Sequence, residues 1–289
     1  MFIPQLANTY GATSILLWSM TAILAVSLNR IPAFEALAII STFGFITCFL
    51  MNSYQNNWKK IWDHSKFIII ATVIGIIGND CFYLLSFRYA PPLHVDLICF
   101  LWPIAFLITQ WFANKKINYQ ELAAVLIAFL GIAIMLLYDN KTNYSPTYLI
   151  GYSMSFLSVA FWIGYLYQSK KYGKAIHELF AVITFCATLC FFITHCLFED
   201  FVTPTLSETV FMFIIGSGGH CLAYIMWDYA VKFGNTGFIS ILTYAAPILS
   251  TLGLIYFGHA QASTGFYIAI TCLIGAIKVI QRPRTSIAG

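Results

Sequence analysis

The feature that most constrains this chain is a series of apolar runs, each about 20 residues long, joined by short polar connections. A helix of that length spans the hydrocarbon core of a bilayer and hydrogen-bonds its own backbone there. The runs lie at 8–28, 33–52, 67–87, 93–112, 120–138, 148–168, 178–198, 209–230, 235–256 and 263–281. The sequence therefore predicts an all-α integral membrane protein of ten transmembrane helices, with no soluble domain.

Composition excludes several other classes of protein. Of the 289 residues, 60% are hydrophobic and 9% are charged, whereas a soluble domain carries about a quarter charged residues. Phosphate-binding glycine loops, nucleophile motifs and extended basic stretches are absent from the sequence. The eight cysteines lie within apolar runs and form no Cys-x-x-Cys pair beside histidines. We therefore expect no metal, cofactor or nucleic-acid partner, and any ATP-driven mechanism would need another subunit.

The basic residues predict the orientation in the membrane. Lys and Arg are enriched on the cytoplasmic side of membrane proteins, and ten spans place both termini on one face. That face collects twelve of the 15 basic residues, and the other collects only Arg30, Arg88 and Lys141. We expect a multi-pass protein of the inner (cytoplasmic) cell membrane, with both termini in the cytoplasm.

The two halves of the chain repeat each other at an offset of about 140 residues. The matched pairs are Trp18 with Trp162, Glu35 with Glu178, Gly78-Asn79 with Gly219-His220, Tyr83 with Tyr224, and Pro103 with Pro247. Each half holds five helices, so the second half must enter the membrane from the opposite side. Such inverted repeats are typical of secondary transporters, whose substrate site lies near the midplane between the halves. We assign the repeats to 8–138 and 148–281.

Polar side chains occupy matching positions in the third and eighth runs. Asn79 and Tyr83 are four residues apart, as are His220 and Tyr224, and residues four apart share one face of a helix. An ionised group at mid-membrane costs about 2.5–3.5 kcal/mol, which favours a cavity or a partner over lipid. We predict that these side chains line a central cavity. The alternative is that Asn79 and His220 only tie helices together by hydrogen bonds.

Asp80 lies about 100° around the helix from Asn79, within reach of Asn79 or of His220 across the interface. A carboxylate and an imidazole at mid-membrane can exchange a proton when their surroundings are tuned for it. Asp80 and His220 are therefore candidates for proton coupling. A static, neutralised pair would explain them equally well.

Two prolines, Pro103 and Pro247, fall in the middle of the fourth and ninth runs. A proline removes a backbone donor and frees a carbonyl one turn earlier, here at Cys99 and Thr243. We predict helix breaks beside the cavity, with a simple packing kink as the alternative.

Aromatic residues make up 17% of the chain. Trp18, Trp102 and Trp162 lie well inside their runs rather than at an interface. Rings in these positions would suit a flat apolar or cationic solute through stacking and cation–π contacts. Packing of the core is the alternative for each of them.

At these residues the sequence resembles the drug/metabolite transporter superfamily, with two tandem EamA-type repeats that cover nearly the whole chain. The segments YAPPLHVDLICFLWPIAFLI and WDYAVKFGNTGFISILTYAAPILSTL resemble the bacterial aromatic amino-acid exporter branch. The resemblance implies a basket of helices around a central cavity. It implies that aromatic side chains line that cavity, namely Trp18, Tyr83, Trp102, Trp162 and Tyr244.

The same resemblance places Asp228 and Lys232 at a cytoplasmic gate. The chain departs from the pattern at two positions. Asp96 stands where a small or amide residue is expected, and Phe100, a further candidate site residue, stands where a tyrosine is usual. A carboxylate near the outer mouth and the loss of a phenol would alter the choice of solute.

The function predicted from the sequence is a secondary exporter of amino acids or related small metabolites, with aromatic amino acids favoured. Its partners would be the solute, the lipid bilayer and, if Asp80 and His220 couple transport, protons. The first alternative is an importer or exchanger of a nucleoside, cationic or sulfonium compound on the same fold. A membrane-embedded enzyme or a scaffold is a remote alternative, because the notable polar residues lie at mid-depth. The sequence assigns neither the direction of transport nor the oligomeric state.

Overall fold

A computed structural model describes residues 2–115, 118–137, 145–174, 176–256 and 261–281. All regular structure in these ranges is helical, and thirteen α-helices follow one another along the chain. They are α1 Phe2–Ala25, α2 Ala33–Tyr54, α3 Lys66–Ser86, α4 Pro92–Cys99, α5 Trp102–Asn114, α6 Tyr119–Leu137, α7 Tyr148–Tyr172, α8 Phe180–Phe198, α9 Leu206–Ile214, α10 Tyr224–Phe233, α11 Thr236–Thr243, α12 Ala245–Tyr256 and α13 Thr264–Gln281. Short 3-10 turns occur at Val26–Leu28, Trp58–Asp63 and His177–Leu179, and a π-helix, Ile215–Ala223, joins α9 to α10.

The predicted membrane fold is confirmed. In the described part of the chain, nine helical segments are long and apolar enough to cross a membrane, with α4–α5, α9–α10 and α11–α12 each counted as one interrupted span. The remaining predicted span corresponds to α1, which has 24 residues but carries more polar side chains, among them Asn8, Thr9, Thr13 and Ser14. The observed bounds agree with the predicted runs to within a few residues, except that α1 begins six residues early. Lys141 and the predicted end of the first repeat at residue 138 lie outside the described residues.

The helices pack mainly across the two halves of the chain. The helix α3 packs along α7, and α1 packs along the π-helix and α10. The helix α2 packs against α8, and α6 packs against α13. The interrupted span α4–α5 lies on α7, as α11–α12 lies on α1. The core of the protein therefore sits between the halves rather than inside each one.

Glycines allow the closest of these contacts. A Cβ at Gly78 would lie 2.8 Å from the ring of Phe161 in α7, and one at Gly219 would lie 2.7 Å from the Thr21 hydroxyl in α1. A Cβ at Gly216 would collide with the backbone carbonyl of Ile40 in α2. The small residues that the sequence places around His220 therefore serve close helix packing, as in other membrane helices.

Both mid-span prolines follow an interruption of their helix. The first break lies between α4, which ends at Cys99, and α5, which begins at Trp102, and Pro103 stands in the first turn of α5. The second break lies at Tyr244, between α11 and α12, and Pro247 stands in the first turn of α12. A proline fits the first turn of a helix because no intrahelical partner is needed there.

The pair α2–α8 carries a buried glutamate–histidine contact at each end. At one end His64 Nε2 lies 2.5 Å from Glu178 Oε1, and His64 Nδ1 lies 2.9 Å from the Tyr172 hydroxyl. At the other end His195 Nε2 lies 4.0 Å from Glu35 Oε2. Glu35 and Glu178 are the two repeat-related acidic residues of the sequence, so equivalent positions anchor opposite ends of the same helix pair.

Candidate functional site

A central cavity of about 240 Å³ lies between the halves. Its walls come from α1, α3, α4, α5, α7, α10, α11 and α12 and from the first helix break. The lining residues are Ile15, Trp18, Asn79, Tyr83, Asp96, Cys99, Phe100, Trp102, Ser158, Val159, Trp162, Tyr224, Thr243 and Ala246. Seven of the nine substrate-binding candidates from the sequence are among them, and His220 and Tyr244 are not.

Three tryptophans and a tyrosine form the aromatic wall of the cavity. The ring centroids of Trp102 and Trp162 are 6.0 Å apart at 83°, and those of Trp18 and Tyr224 are 5.5 Å apart at 79°. Edge-to-face contacts of this kind are favourable and hold rings in fixed orientations. Trp18 is fixed further because its Nε1 donates to the backbone carbonyl of Gly219 over 3.2 Å. The wall is therefore rigid and built from both halves.

Trp227 lies beneath this wall and was not among the site residues predicted from the sequence. Its side chain is 0% exposed, and its ring centroid lies 5.3 Å from that of Trp18 and 5.8 Å from that of Trp102. Trp227 stands three residues after Tyr224, so helical spacing could have placed both on one face. The indole separates the cavity from the ion pair that follows it in α10.

That ion pair joins Asp228 to Lys232, the residues expected at a cytoplasmic gate. Lys232 Nζ donates to Asp228 Oδ2 over 2.6 Å, and the two side chains are 0% and 2% exposed. The other oxygen, Oδ1, accepts from the hydroxyl of Ser169 over 2.6 Å and from that of Tyr165 over 3.4 Å. The contacts tie α7 to α10, and in this conformation the cavity is closed at that end of the bundle.

A series of hydrogen-bonded polar side chains leads out of the cavity from α7 into α3. Ser158 Oγ donates to Asn79 Oδ1 over 3.0 Å, and Asn79 Nδ2 donates to Asp80 Oδ1 over 3.0 Å. Asp80 and Tyr224 border the same small pocket. Of the two partners considered from the sequence, Asp80 therefore engages Asn79 directly.

His220 occupies a second, much smaller pocket, which corrects the expectation that it faces the central cavity. This pocket of about 10 Å³ is shared with Asp80 and Tyr224 and otherwise has mostly apolar walls. His220 lies in the π-helix Ile215–Ala223, which the sequence did not predict. A π-helix turns through a smaller angle per residue than an α-helix because its bonds run to the fifth residue. The rings of His220 and Tyr224 still lie together, with centroids 6.0 Å apart at 66°, and Tyr224 borders both pockets.

Tyr244 also differs from its expected position. It is fully buried, and its hydroxyl donates to the backbone carbonyl of Phe100 over 3.0 Å. The breaks at residues 100 and 244 therefore contact each other, and Tyr244 supports the cavity from behind while Phe100 lines it.

The carboxylate of Asp96 lies in the wall of the cavity. When ionised, its charge is opposite to that of an ammonium group. The hydroxyl of Tyr83 donates to Asp96 Oδ1 over 2.7 Å. Tyr83 is 37% exposed and lies in the last turn of α3, so the cavity approaches the surface at this end. No grouping of three or more His, Cys, Asp or Glu side chains that could hold a metal ion occurs within the described ranges.

Known proteins resemble this chain over nearly its whole length. Residues 5–137 match the EamA-like transporter family. The chain is 26% identical to the aromatic amino acid exporter YddG of Ancylobacter novellus over 275 residues, covering 94% of this chain and 96% of that protein. It is 25% identical to the aromatic amino acid exporter YddG of Escherichia coli K12 over 264 residues, covering 86% and 87%.

A solved crystal structure matches this fold with a TM-score of 0.88 at 26% identity, covering 95% of this chain and 96% of that one. The resemblance to the EamA-type transporters of the drug/metabolite transporter superfamily, and to their aromatic amino-acid exporter branch, is therefore confirmed.

Proposed function

We propose that this chain is a secondary transporter, not an enzyme, that exports aromatic amino acids or closely related small metabolites across the inner membrane. The observation that carries the proposal is the central cavity, whose wall combines Trp18 and Trp102 of the first half with Trp162 and Tyr224 of the second. Rings from both halves can hold a flat side chain between them. Two relatives named as aromatic amino acid exporters support the same class of solute.

We propose further that the halves 8–138 and 148–281 are inverted repeats that exchange conformations to open the cavity on alternate faces. The helix packing supports this, because exchanging the halves converts the contact of α3 with α7 into that of α1 with α10. The close contacts at Gly78 and Gly219, which are matched in sequence, support it too. Rocking of such repeats about a fixed midplane site is the usual mechanism of alternating access.

In this proposal the conformation described here is closed toward the cytoplasm and approached from the outside. Support comes from the basic residues, which favour a cytoplasmic location for the end that carries Lys232. At that end Trp227 and the Asp228–Lys232 pair close the cavity. At the other end the partly exposed Tyr83 lies beside Asp96. Both termini are then cytoplasmic.

Proton coupling through Asp80 and His220 is part of the proposal. Both side chains border the small pocket, and Tyr224 borders this pocket and the cavity. A change of protonation at Asp80 would alter its hydrogen bond from Asn79, which itself lines the cavity. The solute and the proton would thus share one set of hydrogen bonds.

The test is flux from proteoliposomes preloaded with labelled amino acids, with and without a pH gradient. We expect saturable movement of tryptophan or phenylalanine that unlabelled competitor blocks, and no movement of labelled glutamate. A folded, reconstituted protein that moves no aromatic amino acid would refute the proposed substrate class.

A further inference from the structure

We propose that Asp96, held by Tyr83, binds the ammonium group of the transported solute, so that the cavity selects organic ammonium compounds over neutral and purely anionic ones. The inference rests on the proposed function, since it assumes that solute enters the central cavity. It names the charge that a solute must carry, which the aromatic wall alone does not specify.

The first observation is the hydrogen bonding of the carboxylate. Tyr83 donates to Oδ1 of Asp96 over 2.7 Å, and no other hydrogen bond to this carboxylate is found among the described residues. The second oxygen therefore keeps its acceptor capacity, and an ionised carboxylate can accept about four hydrogen bonds. The tyrosine fixes the orientation of the acid and leaves one side of it for a ligand.

The second observation is the lack of a neutralising charge. Within the described ranges, no Lys, Arg or His nitrogen lies within 4.0 Å of the Asp96 carboxylate. The other ionisable side chains of the lining are Tyr83, Tyr224 and Cys99, and none of them is basic. A carboxylate in the membrane without a cationic partner is costly and usually marks a functional site. A cationic group on the solute would supply the missing partner.

A comparison within the molecule sharpens this point. Asp228, in the closed end, is buried, whereas Asp96 is half-buried; Asp228 has Lys232 at 2.6 Å and hydroxyl donors at its other oxygen. Asp96 has the hydroxyl donor without the lysine. The two carboxylates therefore differ in one partner, a cation, which a solute could supply to Asp96.

The third observation is the composition of the rest of the wall. Trp18, Trp102 and Trp162 line the same cavity as Asp96, and indole rings attract cations as well as flat apolar groups. For the carboxylate of an amino acid, by contrast, the lining offers only neutral donors such as Ser158 and Asn79. The cavity thus favours the ammonium end and the ring of a solute over its carboxylate.

A matched set of three indole compounds tests the inference by isothermal titration calorimetry on the purified protein. Tryptamine has the ring and the ammonium group, tryptophan has both and a carboxylate, and indole-3-propionate has the ring and the carboxylate alone. We expect tryptamine to bind at least as tightly as tryptophan, and indole-3-propionate to bind at least tenfold more weakly, as the loss of a charge-assisted hydrogen bond implies.

The variants then assign the effect to one side chain. Asp96→Asn keeps the shape and should weaken tryptamine binding at least tenfold, and Tyr83→Phe should weaken it less. Asp200→Asn removes the same charge from an exposed position between α8 and α9 and should change nothing. If Asp96→Asn fails to fold, the Tyr83→Phe variant still tests the pair.

The inference is overturned if tryptamine does not bind the unmodified protein, or if it binds the Asp96→Asn variant equally well. Failure of the proposed function has a different signature. Tryptophan would not move in the flux assay, while tryptamine would still bind and still depend on Asp96.

Discussion

The hydroxyl of Tyr244 lies 3.0 Å from the backbone carbonyl of Phe100, to which it donates a hydrogen bond. Each residue stands at the helix break that precedes a mid-span proline, and the two breaks occupy equivalent places in the two halves. A carbonyl beside a broken helix must find a donor inside the protein, because lipid offers none. The second half of the chain thus supplies the donor that the break in the first half requires.

We predict that Tyr244→Phe lowers stability although it removes a single oxygen. The carbonyl of Phe100 would lose a buried donor, at a cost of about 1–3 kcal/mol in the free energy of unfolding. Thermal unfolding of the detergent-solubilised protein measures this. The control is Tyr267→Phe, because Tyr267 is 60% exposed. This variant should leave the melting temperature unchanged. Equal melting temperatures for both variants would mean that the contact contributes nothing.

The spans, their bounds and the breaks could be predicted because each depends on local sequence. Apolar length defines a membrane helix, and Pro103 and Pro247 mark the interruptions whatever the helices pack against. Trp18 and Trp162, which were matched between the two halves of the sequence, lie 6.5 Å apart between ring centroids. Local pattern was sufficient for the spans and the breaks.

The position of His220 could not be predicted in the same way. The four-residue spacing correctly placed His220 beside Tyr224, but it could not show that His220 borders the small pocket rather than the central cavity, because that depends on how the π-helix Ile215–Ala223 packs. Glycine stabilises an α-helix only weakly, and Gly216 and Gly219 lie in close contact with α2 and α1, respectively. Tertiary packing therefore decides whether this segment forms an α-helix or a π-helix. Tyr244 was misplaced for a related reason, since its partner is a carbonyl 144 residues away in sequence.

Loss of Lys232 should open the closed end. Lys232→Met leaves Asp228 buried without its cation, and breaking a buried pair in this way costs about 3–5 kcal/mol. We expect the protein to shift toward the conformation in which this end is open, since water can then reach the carboxylate. Labelling of a cysteine introduced at Ser169 by a membrane-impermeant reagent from the cytoplasmic side would rise.

Two controls accompany this prediction, one at an exposed lysine and one that removes both charges of the pair. Lys59→Met removes a lysine from an exposed turn and should leave labelling unchanged. Asp228→Asn together with Lys232→Met removes both charges and should recover part of the lost stability. A double variant as unstable as Lys232→Met alone would show that the unpaired charge is not the cause.

We predict that Asp80→Asn uncouples transport from the pH gradient. The amide keeps the shape of the side chain and a carbonyl acceptor for Asn79, but it cannot exchange a proton. In unmodified protein, acid outside and neutral pH inside should accelerate export from vesicles if protons return as solute leaves. In the variant the same gradient should have no effect, while export down a solute gradient continues. Equal responses of the two proteins to the gradient would remove Asp80 from the coupling mechanism.

We predict that His64 contributes more than His177 to the stability of the α2–α8 helix pair. Glu35 and Glu178 anchor opposite ends of the α2–α8 pair, so His64→Ala should loosen one end and leave Glu178 with His177 as its remaining imidazole partner. We expect a melting temperature several degrees lower, measured by thermal aggregation, because the buried acid would lose its shorter contact. His177→Ala, at a half-exposed position beside the same glutamate, should have a smaller effect. An equal loss in both variants would contradict the assignment of His64 as the main anchor.

The most direct test of the account is the flux of labelled tryptophan through Trp102→Ala, compared with Trp62→Ala, in vesicles holding equal amounts of folded protein. Trp102 lines the cavity, whereas Trp62 lies in the turn Trp58–Asp63 and is 82% exposed. Loss of a stacking ring should reduce flux at low substrate about tenfold or more, as aromatic contacts of this size imply, and Trp62→Ala should transport normally. Equal flux through both variants would contradict the claim that the solute passes through the aromatic cavity.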